Sequence, residues 1–395
     1  MSRTRRHRAR DIAEMLDVGR RVAAEQAQAK SVVHSLTKAA LDQLSQADVP
    51  SEWRTVGMAI ELARAASAAS YVDLDLASAL AHFSLAAATT VPREKYTEAT
   101  IASAEAEAWK EVANAAQHLG DYEGALRALD AADKVVEPYP GLAMDRISLA
   151  FARGILYSHT NRLDEAAVLL DRCAKDFMRL GEADRVADCM WLRGNIAARR
   201  RDFANAERAY KVAANRFETR GSLRSLAIVR SNRGQALAEL QRYDEASREF
   251  MLALPIFENL QIDVEAARSR AALACLMLST GRFAEARASL SSARSRLLDL
   301  KLVEEAGIVG LYLADAHLAF GDVAAARAIV EQVLRESREI RLHAATLTAI
   351  AYLDDLLRTP IATEVAMRHL RHVRAFAKAA SESRPTRLFL PLEDA

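Results

Sequence analysis

Apolar residues recur along this chain at the three- and four-residue spacing of a buried helix face, and the apolar stretches come in pairs. Between the two members of each pair stands a six-residue polar turn: GDYEGA from Gly120, NRLDEA from Asn161, RDFANA from Arg201, QRYDEA from Gln241, GRFAEA from Gly281 and GDVAAA from Gly321. The closing alanines, Ala125, Ala166, Ala206, Ala246, Ala286 and Ala326, are separated by 41 residues once and then by 40 four times. A fixed period of this length marks a repeat array, each unit being one antiparallel helical hairpin. A Gly, Asn, Arg or Gln stands where each first helix is expected to stop. Three residues before each alanine comes Tyr122, Leu163, Phe203, Tyr243, Phe283 or Val323. Four residues after it comes Leu129, Leu170, Tyr210, Phe250, Leu290 or Val330, and three further Ala132, Cys173, Ala213, Ala253, Ala293 or Val333. These positions form one apolar stripe on each second helix.

The pattern weakens toward both ends but stays helical. Residues 51–92 read as a divergent hairpin, with a helix near Trp53 to Ala69, a turn at Tyr71 to Asp75, and a second helix through Ala77 and Ala81 to Pro92. Residues 11–48 lack glycine after Gly19 and contain no proline, which permits one long helix or two packed together, serving as an N-terminal cap or a dimerisation element. Residues 1–10 hold Arg3, Arg5, Arg6, Arg8 and Arg10. Such a run could meet phosphates, but no aromatic is interleaved, and it is read as a disordered, solvated tail. Beyond the six units of residues 101–340, residues 341–380 give two capping helices split at Thr359-Pro360, and residues 381–395 an extended tail. His369 and His372 stand at i,i+3, yet no carboxylate or cysteine beside them completes a metal site, so they are assigned to the solvated cap.

The repeat resembles the tetratricopeptide repeat (TPR) family. The first unit supplies Trp109, Val112-Ala113, Gly120, Tyr122, Ala125, Leu129 and Ala132, and the next three supply the first-helix glycine as Gly154, Gly194 and Gly234. The period departs from the family's usual 34 and the closing proline is missing, so each helix is about one turn longer. This longer form resembles the TPR arrays of bacterial signalling proteins. A segment A-W-x-E-x-x-N-A, here Ala108 to Ala115, is similar to one found in uncharacterised bacterial TPR proteins. The resemblance implies an all-α fold, a right-handed α-solenoid of TPR hairpins with helical caps at both ends and a concave groove lined by the first helices.

In that family one groove position directly follows the Leu-Gly pair, and here it reads Asn114, Ile155, Asn195, Gln235, Cys275 and Asp315. An amide both donates and accepts, so Asn114, Asn195 and Gln235 are candidates for pairing with the backbone of an extended peptide. Polar residues on a wetted helix face, or amides bonded within their own helix, are the competing explanation. One turn earlier lie Lys110, Phe151 and Trp191, and further along His118, His159 and Arg199 recur at one position. Lys110 with Asn114 resembles half of a carboxylate clamp, but Ala152, Asp188 and Leu192 stand where its other half would need amide or basic groups. Trp191 is either an anchor for an apolar partner or part of the core between repeats. The candidate partner-binding set is therefore Lys110, Asn114, Trp191, Asn195, Arg199 and Gln235.

Composition narrows the function. A net charge of +1 gives no general attraction to nucleic acid or membrane, and no apolar run reaches the length of a membrane span or a signal segment. Cys173, Cys189 and Cys275 show no C-x-x-C spacing, which points to buried thiols rather than a disulfide framework or zinc site. No phosphate-binding glycine loop, H-E-x-x-H or G-x-S-x-G motif is present. The expectation is a cytoplasmic, non-enzymatic scaffold or adaptor without cofactor or metal, holding a peptide segment or protein partner in a bacterial regulatory pathway, with a homodimer through the N-terminal helices as a further option. The alternatives are a peptide-gated response-regulator phosphatase resembling the Rap family, and a purely structural oligomerisation module.

Overall fold

The computed structural model describes residues 3–44, 49–70 and 73–339, together with residues 350, 353 and 370. Among the described residues there are sixteen α-helices, two short 3-10 turns and no strand. Successive helices pack against one another, the arrangement of a TPR-type α-solenoid. The chain divides into two compact units, Met1–Cys189 and Met190–Ala395, each taken by itself below.

In the first unit α1 (Arg3–His34) packs on α3 (Val56–Ala69) through Val18, Ala29 and Val33, and a short α2 (Lys38–Asp42) follows it. The basic run expected to be a disordered tail instead forms the first turns of α1 from Arg3, since no proline or glycine interrupts residues 3–18 and arginine is a good helix former. The approach of α1 to α3 is close enough to require glycine: a Cβ on Gly57 would stand 2.3 Å from Glu25 Cβ. Glu25 accepts the Gly57 N–H (3.0 Å) and the Tyr96 hydroxyl (2.7 Å), so one carboxylate both satisfies the start of α3 and fixes α1 to it. α3 pairs with α4 (Leu74–Thr89), α5 (Glu98–His118) with α6 (Tyr122–Val136), and α7 (Ala143–His159) with α8 (Leu163–Arg179).

The boundary between the units falls inside α9 (Ala183–Arg199). The second unit continues with α10 (Phe203–Arg220), α11 (Leu223–Glu239), α12 (Tyr243–Asn259), α13 (Asp263–Ser279), α14 (Phe283–Asp299), α15 (Val303–Leu318) and α16 (Val323–Glu339). Helix α15 is buried on nearly every side, Glu305 and Asp315 included among its apolar residues. Ile350, Leu353 and Leu370 are buried in the same core as α13 to α16. The rest of the expected capping helices and the tail lie outside the described residues.

One turn design makes the array. The first residue of every six-residue signature, Gly120, Asn161, Arg201, Gln241, Gly281 or Gly321, has left-handed φ. It donates to the carbonyl three residues back, while the next residue donates five back, as in Asn161 N to Ser158 O (3.2 Å) and Arg162 N to Tyr157 O (2.8 Å). These two bonds close the helix in a Schellman motif. The same motif ends the second helices at Gly181, Gly221, Gln261 and Lys301, so from Asn161 to Gly321 a left-handed residue recurs every 20 positions. Three residues join most successive helices there, two before α11 and four before α16, and the last of them already caps the next helix.

Inside the six hairpins that capping residue comes in two forms. Asp121, Asp202 and Asp322 accept the N–H of Gly124, Asn205 and Ala325 three residues on. Where the cap is Arg162, Arg242 or Arg282, a glutamate occupies that third position and the guanidinium grips it through two nitrogens. Those hydrogen bonds hold Glu165, Glu245 and Glu285 below the usual carboxylate range. No hairpin combines the aspartate with the glutamate, which would repel it.

Within each hairpin a small residue on the first helix meets a large one on the second. A Cβ on Gly154 would lie 3.1 Å from Leu170, on Gly234 2.9 Å from Phe250, and on Gly194 2.4 Å from Tyr210. Ala274 and Ala314 hold the equivalent position in the last two hairpins, where the residues at the partner position are the smaller Leu290 and Val330.

Candidate functional site

The candidate groove residues turn inward or toward each other. Asn195 is only 2% exposed, and its Oδ1 accepts the Tyr210 hydroxyl at 3.0 Å inside its own hairpin. Trp191 is 4% exposed, with its ring edge-to-face on Phe217. Its Nε1 faces the Asn232 amide oxygen at 3.0 Å while that amide's nitrogen faces the Ile228 carbonyl at 3.3 Å. Both residues therefore belong to the core, correcting their assignment to a partner-binding face: the indole N–H and the Asn195 oxygen find polar partners inside the protein, while the buried Asn195 Nδ2 has none. Gln235 and Arg199 are half-buried.

In the first unit Lys110 and Asn114 are drawn together by a carboxylate between them. Lys110 Nζ lies 2.8 Å from Glu107 and 3.5 Å from buried Glu111, and Asn114 Nδ2 donates to Glu111 at 3.0 Å. Burial opposes the lysine charge, but Glu107 and Glu111 outweigh it and hold the ammonium above its ordinary pKa; burial in turn pushes Glu111 up against the pull of Lys110. This half-clamp already contains its own anion. Phe151 packs edge-to-face on Phe177 with the Arg185 guanidinium 5.4 Å from both ring centres.

Buried charge in the second unit follows the repeat. Arg268 donates to Glu265 on its own helix (2.6 Å) and to Glu305 on α15 (2.7 Å), and all three side chains are buried. Arg233 joins Glu207 of α10 to Glu249 of α12, both at 2.7 Å. Arg230 with Glu218 and Arg270 with Glu258 are the same pair 40 residues apart. Burial raises Glu265 despite Arg268, and opposes the charge on Arg268, which its two carboxylates restore. These networks went unrecognised in the sequence, although the recurrence of Glu at 265 and 305 was a readable signal.

The cleft described among these residues lies elsewhere, in the first unit between α6, α7 and α8, with a volume of about 440 Å³. Its floor is apolar, formed by Ala143, Ile147, Ala150, Leu169 and Cys173, and Arg146, Arg172 and Arg179 stand at its rim with Asp133 and Asp176. It opens where the rhythm breaks. Helix α6 stops at Val136 and α7 begins at Ala143, leaving a six-residue linker with Pro138 and Pro140 in place of the three-residue turn. The single 41-residue interval contains that linker. Cys173 is buried at the cleft floor, and burial pushes its thiol up to about 11.

Among the described residues no cluster of His, Cys, Asp or Glu is placed to hold a metal ion, and no helix is long and apolar enough to cross a membrane.

Paired helices, αL turns at fixed intervals and small-on-large hairpin contacts define a TPR-like repeat protein, a class of protein-binding fold. The profile of the soluble NSF attachment protein (SNAP) family matches residues 149–355, just over half of the chain. The chain belongs to that family. No curated protein sequence matches it significantly. Among solved structures it is similar to BtubC (BKLC) from P. vanneervenii, at 22% identity over 58% of this chain and 93% of that one, with a TM-score of 0.50. It is similar to the apo form of RapI at 13% identity, covering 71% of this chain and all of RapI, with a TM-score of 0.56. It also matches a signal transduction ATPase of the STAND type with a TPR sensor from Pyrococcus horikoshii, at 14% identity over 80% of this chain and 50% of that one, with a TM-score of 0.58. At these identities the likenesses establish the fold alone.

Proposed function

We propose that this chain is a non-enzymatic scaffold that holds a peptide segment or protein partner, working in the cytoplasm within a bacterial regulatory pathway. The observation that carries this reading is membership of a protein-binding repeat family. The local chemistry supports it, because Asn195 and Arg268 of the first helices are spent on contacts within and between hairpins and the accessible cleft has an apolar floor suited to a side chain. A regulatory setting is favoured by the fold shared with RapI and with a STAND protein whose repeats are described as a sensor.

The test is chemical cross-linking of the full chain in cytosol of its source, read by mass spectrometry, beside an assay of the purified chain on response regulators carrying aspartyl phosphate. A partner cross-linked in stoichiometric amount without phosphate release is the expected result. Catalytic loss of the aspartyl phosphate would replace this reading with the peptide-gated phosphatase. Cross-links only between copies of the chain would leave a structural module.

A further inference from the structure

Resting on the scaffold reading, we infer that the α6–α7–α8 cleft is the docking site and that its occupant is a short segment of another protein bearing Asp or Glu beside a large apolar side chain. Size is the first argument: about 440 Å³ falls within the roughly 300–1,000 Å³ typical of ligand clefts. Shape is the second. The floor of Ile147, Ala150 and Leu169 is apolar and half-buried rather than filled, because the proline-bearing linker replaces the tight turn that closes the other helix pairs.

Charge decides the class of occupant. Of the two carboxylates at the rim, Asp133 binds Arg153 at 2.7 Å, which it shares with Asp130 at 2.8 Å. Asp176 is shared by Arg179 at 3.0 Å and Arg172 at 3.7 Å. Arg146 is held by the carbonyls of Val136, Tyr139 and Pro140, which fix its position without cancelling its charge. Three arginines thus face two carboxylates, a surplus of one positive charge around an apolar floor. The shallower depression beside the cleft adds Lys175 and Asp171, which offset each other.

Two of these arginines are presented to solvent, with side chains 81% exposed at Arg172 and 78% at Arg179, so they can turn to an incoming carboxylate at little desolvation cost. The apolar surface continues outward from the cleft along α8, where Leu180 is 47% and Val168 72% exposed. An apolar side chain in the cleft supplies the affinity and the neighbouring acidic groups supply orientation and on-rate.

The experiment is a selection of random dodecapeptides displayed on phage against the full chain, followed by titration of synthetic, fluorescein-labelled winners. They are titrated against wild type, Arg172→Glu with Arg179→Glu, Ala150→Phe, and Met251→Ala, an exposed position on α12, as a change outside the cleft. Circular dichroism checks that every variant is folded. Because both arginines are exposed, the charge-reversal variant is expected to fold even if the filled cleft of Ala150→Phe is not tolerated. The expected winners carry Glu or Asp flanking Leu, Ile or Phe, lose at least tenfold in affinity on charge reversal, and are unaffected by Met251→Ala. Winners without acidic residues, or winners that bind the folded charge-reversal variant as well as wild type, would overturn the cleft assignment while leaving the scaffold reading to its own cross-linking test. A selection that yields no binder would overturn a short-peptide site here; a scaffold that recognises only folded domains would still cross-link its partner.

Discussion

Replacing the first-helix glycines by alanine, one hairpin at a time, should give a graded series whose order follows from measured gaps. In a helix interior Gly→Ala is worth about 1 kcal/mol of added stability through backbone entropy. Against it stands the clash of the new methyl group. At Gly154 the methyl would sit 3.1 Å from Leu170, a gap that a branched aliphatic chain can relieve, so Gly154→Ala should be neutral or stabilising by up to about 1 kcal/mol. At Gly194 it would sit 2.4 Å from the Tyr210 ring, which is buried and tied by its hydroxyl to Asn195, so the ring has nowhere to go. Overpacking costs about 1–3 kcal/mol, which leaves Gly194→Ala a net loss of up to about 2 kcal/mol. Gly234→Ala, at 2.9 Å from Phe250, should fall between them. The chain also suggests the rescue, since its last two hairpins pair Ala274 and Ala314 with the aliphatic residues Leu290 and Val330. Gly234→Ala combined with Phe250→Leu should therefore recover stability that neither change shows alone. Urea unfolding followed by far-ultraviolet circular dichroism provides the comparison. A stabilised Gly194→Ala, or strict additivity of the Gly234 and Phe250 changes, would refute the small-on-large account of hairpin packing.

Three further outcomes are expected. The left-handed turn residues with side chains are strained, so Gln241→Gly should stabilise by about 0.5–1 kcal/mol, and Gly281→Ala, whose methyl would touch nothing, should cost about 1–2 kcal/mol by backbone strain alone; thermal unfolding of the pair checks the sign. Glu25→Ala should loosen α1 from α3 at a cost of about 1–3 kcal/mol, read as faster hydrogen exchange through α1 while α5 to α8 keep their protection. Arg268→Met should cost about 3–5 kcal/mol by leaving Glu265 and Glu305 buried without their cation. Glu265 binds its proton more tightly in the folded than in the unfolded chain, so its contribution to stability is present below the ordinary glutamate pKa and lost as pH rises through the folded value. Removing Arg268 raises that folded value further, and the gap between variant and wild type, measured by urea titration, should narrow as pH is lowered from about 8 to about 5.

The helices and the turns between the two members of each hairpin were legible because they are written in local terms. A turn residue, a polar cap and an alanine four places after the cap recur in register whatever surrounds them. The equal turns at Gly181, Gly221, Gln261 and Lys301 were harder to read, since Glu182, Ser222, Ile262 and Leu302 follow them with no common cap and only the 20-residue interval marks them. The face that binds was not legible. Asn195 and Trp191 sit where a wetted groove was expected, but whether a polar atom meets water or Tyr210 and Asn232 depends on the approach of neighbouring helices, which no window of sequence contains. The same holds for Glu265, which reads as a solvated charge and is buried. The cleft did leave a trace, in the one interval of 41 and its two prolines.

Near-identical hairpins carry a hazard of their own: any second helix presents almost the same apolar stripe to any first helix, so a hairpin could dock out of order during folding. The Arg268 bridge discriminates among such errors. Glu265 and Glu305 occupy one repeat position in successive units, while the earlier units have Ser225 and Arg185 there. A misplaced neighbour would set a hydroxyl or a second cation where Glu305 stands, leaving the buried guanidinium with only Glu265 of its own helix. The bridge thus works as a proofreading contact, rejecting wrong neighbours more strongly than it rewards the right one.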